Sequence, residues 1–87
     1  MENAMPEPNF SIFISSLSMQ ALIFLGEIDS PVTNKKEENI EQAKYMIDTI
    51  AMIKEKTKGN LDANEANLMD NVLYELRMKY TAKAGRL

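Results

Sequence analysis

The feature that most constrains this chain is a run from Pro8 to Gly26 that contains no charged residue. Eleven of the eighteen residues from Asn9 to Gly26 are Phe, Ile, Leu, Met or Ala. A helix on the surface of a small protein normally carries charges on its outer face, and this segment has none to offer. We therefore expect something to cover the segment on more than one side: the rest of the chain, a second copy, a partner or a lipid surface. The feature bears on assembly rather than on chemistry.

Length and composition limit the alternatives further. The chain has 87 residues, enough for one domain, and a domain of this size buries only about 60–65% of its unfolded surface. It contains neither cysteine nor histidine, which excludes disulfides and the thiolate and imidazole sites for transition metals. We expect no cofactor. The net charge of −3 and the dispersed basic residues predict that nucleic acid is not a partner.

The domain boundaries follow from composition. We expect residues 1–8 to form a disordered tail, residues 9–82 a single helical domain and residues 83–87 a frayed C-terminus. Glu2 and Glu7 stand where a signal peptide would carry Lys or Arg, so the sequence predicts a cytoplasmic location.

The periodicity of apolar residues predicts an all-α fold. Three helices are expected, at about residues 10–25, 36–58 and 63–80, arranged as a small bundle or as a helical hairpin with a third helix across it. We expect oligomerisation to complete this architecture. The alternative is a strand pair at the start, because Phe10, Ile12 and Ile14 alternate with other residues. The residues from 14 to 25 do not alternate, which favours the helix.

Residues with capping chemistry stand at the predicted helix ends. Asn9 is the predicted N-cap of the first helix, and Gly26 is its left-handed stop. Gly59 is predicted to end the second helix. Asp62 at the N-cap and Glu65 three residues later are typical of a capping box at the start of the third helix.

The start of the second helix is less sharply marked. Thr33 and Asn34 are both candidate N-caps for it.

A projection of the first helix at 100° per residue shows a broad apolar face and a narrower apolar face opposite. We predict that the broad face joins the apolar stripes of the other two helices in the core. The predicted core residues are Phe13, Leu17, Phe24, Ile47, Ile50, Leu68, Val72 and Leu76. The narrower face and its flanks form a candidate interface with a partner, which comprises Ile12, Ser16, Met19, Leu22 and Ile23.

The sequence gives little support for a catalytic site. The segment Lys56–Asn60 superficially resembles a phosphate-binding loop, but its glycine follows a helix and is better explained as a helix cap. Asp48 and Glu55 could be imagined as a carboxylate pair, yet they lie in the solvated sector of the second helix. Histidine and cysteine, the usual bases and nucleophiles, are missing. We therefore expect no catalytic, cofactor-binding or metal-binding residue, and the prediction is that the protein is not an enzyme.

Several short patterns occur in order along the chain. They are Leu25-Gly26, Ala43 with Ile47-Asp48, the junction Lys56-Thr57-Lys58-Gly59-Asn60-Leu61, Glu65, and Leu76-Arg77-x-x-Tyr80. In these residues the chain resembles the small bacterial proteins grouped as domain of unknown function 1844, over roughly residues 10–80. The resemblance implies a bacterial, helical, cytoplasmic protein. It implies no activity, cofactor or catalytic residue.

The sequence thus predicts a non-enzymatic interaction module that self-associates through its first helix. The predicted partner is the protein itself, as a homodimer or a higher oligomer, and an unidentified protein is the other candidate. Peripheral membrane association through the same helix is the alternative function. It is disfavoured because interfacial helices normally carry Lys or Arg on their polar side, and this helix carries neither.

Overall fold

A computed structural model describes residues 7–85 and shows three helices, with no strand among these residues. Helix α1 spans Phe10–Phe24, α2 spans Ile40–Lys56 and α3 spans Ala63–Ala84. The all-α prediction is confirmed and the strand alternative is wrong. The predictions for residues 1–6 and 86–87 lie outside the described residues.

Helix α1 begins and ends at the predicted caps. The Asn9 side chain accepts a hydrogen bond from the Ile12 N–H at 2.8 Å. Gly26 has a φ of +77°, in the left-handed region that favours glycine. Its N–H donates to the carbonyl of Ile23 at 3.0 Å, and the next N–H along the chain donates back to Leu22, as in a Schellman motif. Both ends of α1 are therefore closed by local hydrogen bonds.

Helix α2 begins four residues later than predicted. Its N-cap is Asn39, whose side chain accepts a hydrogen bond from the Gln42 N–H at 3.1 Å. The predicted caps Thr33 and Asn34 are wrong, and Asn34 instead adopts a left-handed φ of 58° within the connecting loop. The helix ends at Lys56, and Gly59 follows in the turn with a φ of +87°.

A contact between helices explains the late start of α2. The Asn39 N–H donates to the carbonyl of Phe24, in the last turn of α1, at 2.7 Å. Beside this bond, Glu38 lies so close to Gly26 that a Cβ atom at residue 26 would be 3.1 Å from the Glu38 Oε1. The residues just before Ile40 therefore close the end of α1 instead of extending α2.

The predicted capping box of α3 is confirmed. The Glu65 N–H donates to the Asp62 side chain at 2.8 Å, and the Asp62 N–H donates to the Glu65 side chain at 3.0 Å. Two of the four unpaired donors at this helix start are thus satisfied reciprocally.

Helix α3 continues to Ala84, four residues beyond its predicted end, so residues 83 and 84 are helical rather than frayed. Ion pairs hold its last turns against the α1–α2 loop. Glu27 lies 3.7 Å from the Lys79 ammonium and 3.8 Å from that of Lys83. Lys83 also lies 3.9 Å from Glu38, and its side chain is partly shielded from solvent. These contacts join residues distant in sequence, so the local propensity that predicts fraying contains no sign of them.

All three helices contribute to one core, together with Leu25 at the end of α1. The buried apolar residues are Ile14, Ala21, Leu25, Ala43, Met46, Ile47, Ile50, Met69, Leu73 and Leu76. Of the predicted core residues, Ile47, Ile50 and Leu76 are buried. Leu17, Phe24, Leu68 and Val72 are partly buried and pack against the core.

Phe13 is the exception: it was predicted in the core, and it is 50% exposed. The buried face of α1 is centred on Ile14, Ala21 and Leu25, and this rotation turns Phe13 outward. Because α1 is apolar on both sides, its sequence pattern does not determine which side faces the other helices.

The helices form a flat molecule with extents of 41 × 37 × 16 Å. The radius of gyration is 14.3 Å, whereas a compact domain of this length is expected to have about 12 Å. Such a shape gives a short chain a thin core and a large surface.

The capping box predicts a measurable contribution of Glu65 to stability. Replacing Glu65 by Ala removes the acceptor of the Asp62 N–H and is expected to lower the free energy of unfolding by about 0.5–1 kcal/mol. Glu75→Ala is the matched control, because Glu75 lies on the same helix and only approaches Lys79, at 3.9 Å on the surface. Thermal unfolding followed by circular dichroism compares the two. Equal melting temperatures for both variants would contradict this role.

The two left-handed glycines predict different costs of substitution by alanine. In Gly59→Ala the new Cβ meets no atom within 4 Å, so only backbone strain of about 1–2 kcal/mol is expected. In Gly26→Ala the Cβ also crowds Glu38, and the expected loss is about 2–4 kcal/mol. Chemical denaturation of both variants measures the difference. A Gly26→Ala protein as stable as Gly59→Ala would show that the contact with Glu38 relaxes freely.

Candidate interaction surface

The exposed side of α1 presents an uncharged stripe of side chains. Ile12 is 45% exposed, Met19 is 56% exposed, Ser16 is exposed and Ile23 is half-buried. Their spacing of four, three and four residues places all four on one face of the helix. We call Ile12, Ser16, Met19 and Ile23 the α1 seam. Four of the five residues of the candidate interface thus lie together on one side of α1.

Leu22, the fifth residue, lies elsewhere. It is half-buried and packs against the core. The same rotation of α1 that carries Leu22 inward carries Phe13 outward, so that Phe13 flanks the α1 seam. Sequence reasoning missed Phe13 as a surface residue because only uncharged residues, the serines and Gln20, lie between the two apolar faces.

The one polar residue of the α1 seam has its hydrogen bond within its own helix. The Ser16 hydroxyl donates to the carbonyl of Ile12 at 3.0 Å. A serine satisfied in this way can be covered by an apolar surface without leaving an unpaired donor. Its small side chain also leaves a shallow hollow, lined by Ser11, Ile12, Ser15, Ser16 and Met19.

Large apolar side chains are also exposed on α2 and α3, but among charges. On α2, Tyr45 is exposed next to Lys44, which bonds Asp48 at 2.8 Å. This hydrogen bond raises the pKa of Lys44 above its ordinary value. On α3, Tyr74 and Met78 are exposed. The α1 seam differs from both because no charged residue lies anywhere on its helix.

A shallow groove runs beside Tyr74 and Met78, with a volume of about 570 Å³. Its wall includes the ion pair between Lys54 and Asp70, whose nitrogen and oxygen are 2.7 Å apart. Both side chains keep contact with water. A charged pair so exposed is a surface contact between α2 and α3, worth little in isolation, rather than a desolvated acid–base pair.

Two of the residues weighed as catalytic candidates have structural surroundings. Asp48 forms an ion pair with Lys44, and Gly59 lies in the turn after α2 with a left-handed φ. Within residues 7–85, no charged or polar side chain is buried, and no three acidic side chains converge as they would around a metal ion. None of the three helices in this part of the chain is long and apolar enough to cross a membrane.

Comparison with known proteins yields one family. No curated protein and no solved structure shows significant similarity to the chain. One family of proteins, described as a domain of unknown function (DUF1844), matches residues 7–82. This range includes all of α1 and α2 and nearly all of α3, as well as the α1 seam. Because the match covers most of its length, the chain belongs to the DUF1844 family.

Proposed function

We propose that this protein is a non-enzymatic interaction module that self-associates through the α1 seam. The observation that carries the proposal is an exposed, uncharged face on a helix whose opposite face already belongs to the core. Isolated apolar side chains on a protein surface are ordinary, whereas a contiguous apolar face is typical of an interaction site. The cytoplasmic location predicted from the sequence is part of the proposal.

The size of the surface supports the need for a partner. The chain exposes 6173 Å², whereas a compact monomer of its mass is expected to expose about 5200 Å². This excess agrees with the flat shape of the molecule, and the exposed side of α1 contributes a contiguous apolar part of it. A second molecule can therefore cover what the thin core of the single chain leaves open.

The absence of charge supports a second copy as that partner. A partner that covers the α1 seam gains most if its own contact surface is also uncharged, because a charged group buried there would lack a counter-ion. The α1 seam of another molecule meets this requirement. Two copies bring no like charges together, although each carries a net charge of −3. The core of each copy stays intact, because the seam lies on the opposite side of α1.

Sedimentation of two matched methionine variants tests the proposal. Met19 in the α1 seam and Met78 on α3 are 56% and 57% exposed, so each is replaced by Glu from a similar starting exposure. We expect the wild-type protein to be dimeric at micromolar concentration. Met19→Glu should raise the dissociation constant about 100-fold or more, because it removes a buried methionine from both copies and introduces two charges.

Met78→Glu should leave the dimer unchanged. Analytical ultracentrifugation measures the mass of each species, and circular dichroism checks that both variants keep their helices. A folded wild-type monomer at these concentrations would refute self-association. Dissociation by Met78→Glu rather than by Met19→Glu would show that the partner binds α3 instead.

Binding of a lipid surface is the competing use of the same face. It is less favoured because the exposed side of α1 offers no Lys or Arg to anionic headgroups. In co-sedimentation with anionic vesicles, we expect the wild-type protein to stay in the supernatant because its apolar seam is already covered by a second copy. Binding by the wild-type protein that Met19→Glu abolishes and Met78→Glu preserves would favour the membrane function.

A further inference from the structure

We infer that the two copies of α1 pair antiparallel, so that Ile12 of one copy faces Ile23 of the other and Ser16 faces Met19. This inference rests on the proposed self-association and adds to it the orientation of the two helices. It defines a two-fold symmetric contact in which the same seam serves both molecules.

The spacing of the seam suits helix-to-helix packing. Side chains separated by four, three and four residues follow the a and d positions of a two-stranded coiled coil. Helix α1 has 15 residues, which gives it a length of about 22 Å. The four seam residues extend over most of this length. A second helix can therefore lie along the seam rather than cross it at one point.

Side-chain volume distinguishes the two orientations. In a parallel pair, each residue faces its own copy, so two small Ser16 side chains would meet in one layer and two large Met19 side chains in the next. Such a contact alternates between a gap and a crowded layer, and close packing disfavours both. In an antiparallel pair, each Ser16 faces a Met19, and the layers have similar volumes. Since the Ser16 hydroxyl is bonded to the Ile12 carbonyl, it can accept this apolar neighbour.

The helix dipole favours the same orientation. The first turn of α1 has no acidic residue and its last turn has no basic residue. In contrast, α2 carries Glu41 at its start and Lys54 and Lys56 at its end, and α3 carries Glu65 and Lys83. An antiparallel neighbour places the partly negative end of one α1 beside the partly positive end of the other. The second copy then supplies the compensation that side chains provide in α2 and α3.

Disulfide cross-linking between single-cysteine variants tests the orientation, and the chain contains no native cysteine to interfere. Ile12→Cys and Ile23→Cys are prepared separately, one of them with a terminal tag that distinguishes the masses. They are mixed under reducing conditions to exchange subunits, and then oxidised. In the antiparallel pair, residues 12 and 23 of different copies are adjacent, whereas two residues 12 are about 16 Å apart along the axis. A disulfide requires Cα atoms within about 7 Å.

We expect the mixture to give about tenfold more cross-linked dimer than either variant alone, all of it joining position 12 of one copy to position 23 of the other. Efficient cross-linking of Ile12→Cys alone would overturn the antiparallel orientation in favour of a parallel one. If neither sample cross-links while both reduced variants sediment as dimers, the seam is not the contact, and the inference fails. If the reduced variants and the wild-type protein all sediment as monomers, the proposed self-association itself fails. Sedimentation and cross-linking thus separate the two failures.

Discussion

The constraint that shapes the rest of the structure is that α1 is apolar on both sides and must be covered. Helix α1 turns Ile14 and Ala21 toward the other two helices, and these residues are completely buried. The opposite side then carries Ile12 and Met19 into solvent, because the part of the chain that the structure describes has only two further helices and no element left to place there. One side of α1 stabilises the fold, and the other is available for assembly. The flat shape follows from the same shortage of covering elements.

Much of the fold could be predicted from the sequence because helix ends depend on contacts within a few residues. The Asn9 cap and the Asp62–Glu65 capping box are interactions of this kind, and both form as their sequence patterns predict. The late start of α2 was not predictable in the same way. It depends on the hydrogen bond from the Asn39 N–H to Phe24, two residues separated by the whole α1–α2 loop. The extended end of α3 likewise contacts Glu27 and Glu38, which are distant from it in sequence.

The candidate surface was predictable as a property of α1 but not in every residue. The absence of charge identifies the helix, and helical geometry places the α1 seam on one face. The rotation of the helix about its own axis is a tertiary choice between two apolar faces, which explains why Phe13 is exposed and Leu22 packs against the core. Polar residues normally mark the edge of a buried face. In α1 the polar residues are uncharged and most of them are small serines, so they do not mark the edge of the buried face.

The ion pairs at the end of α3 connect parts of the chain that are far apart in sequence. Lys83 is the penultimate residue of α3 and contacts both Glu27 and Glu38, which lie near the two ends of the α1–α2 loop. Unwinding the last turn of α3 therefore requires that this loop lose two of its ionic contacts. The loop also holds the end of α1 through Asn39, so local opening at the C-terminal end of the fold is coupled to the helix that carries the exposed seam. Proteolytic trimming of α3 would consequently act on the proposed self-association at a distance, by loosening the support of α1 rather than by removing a contact surface.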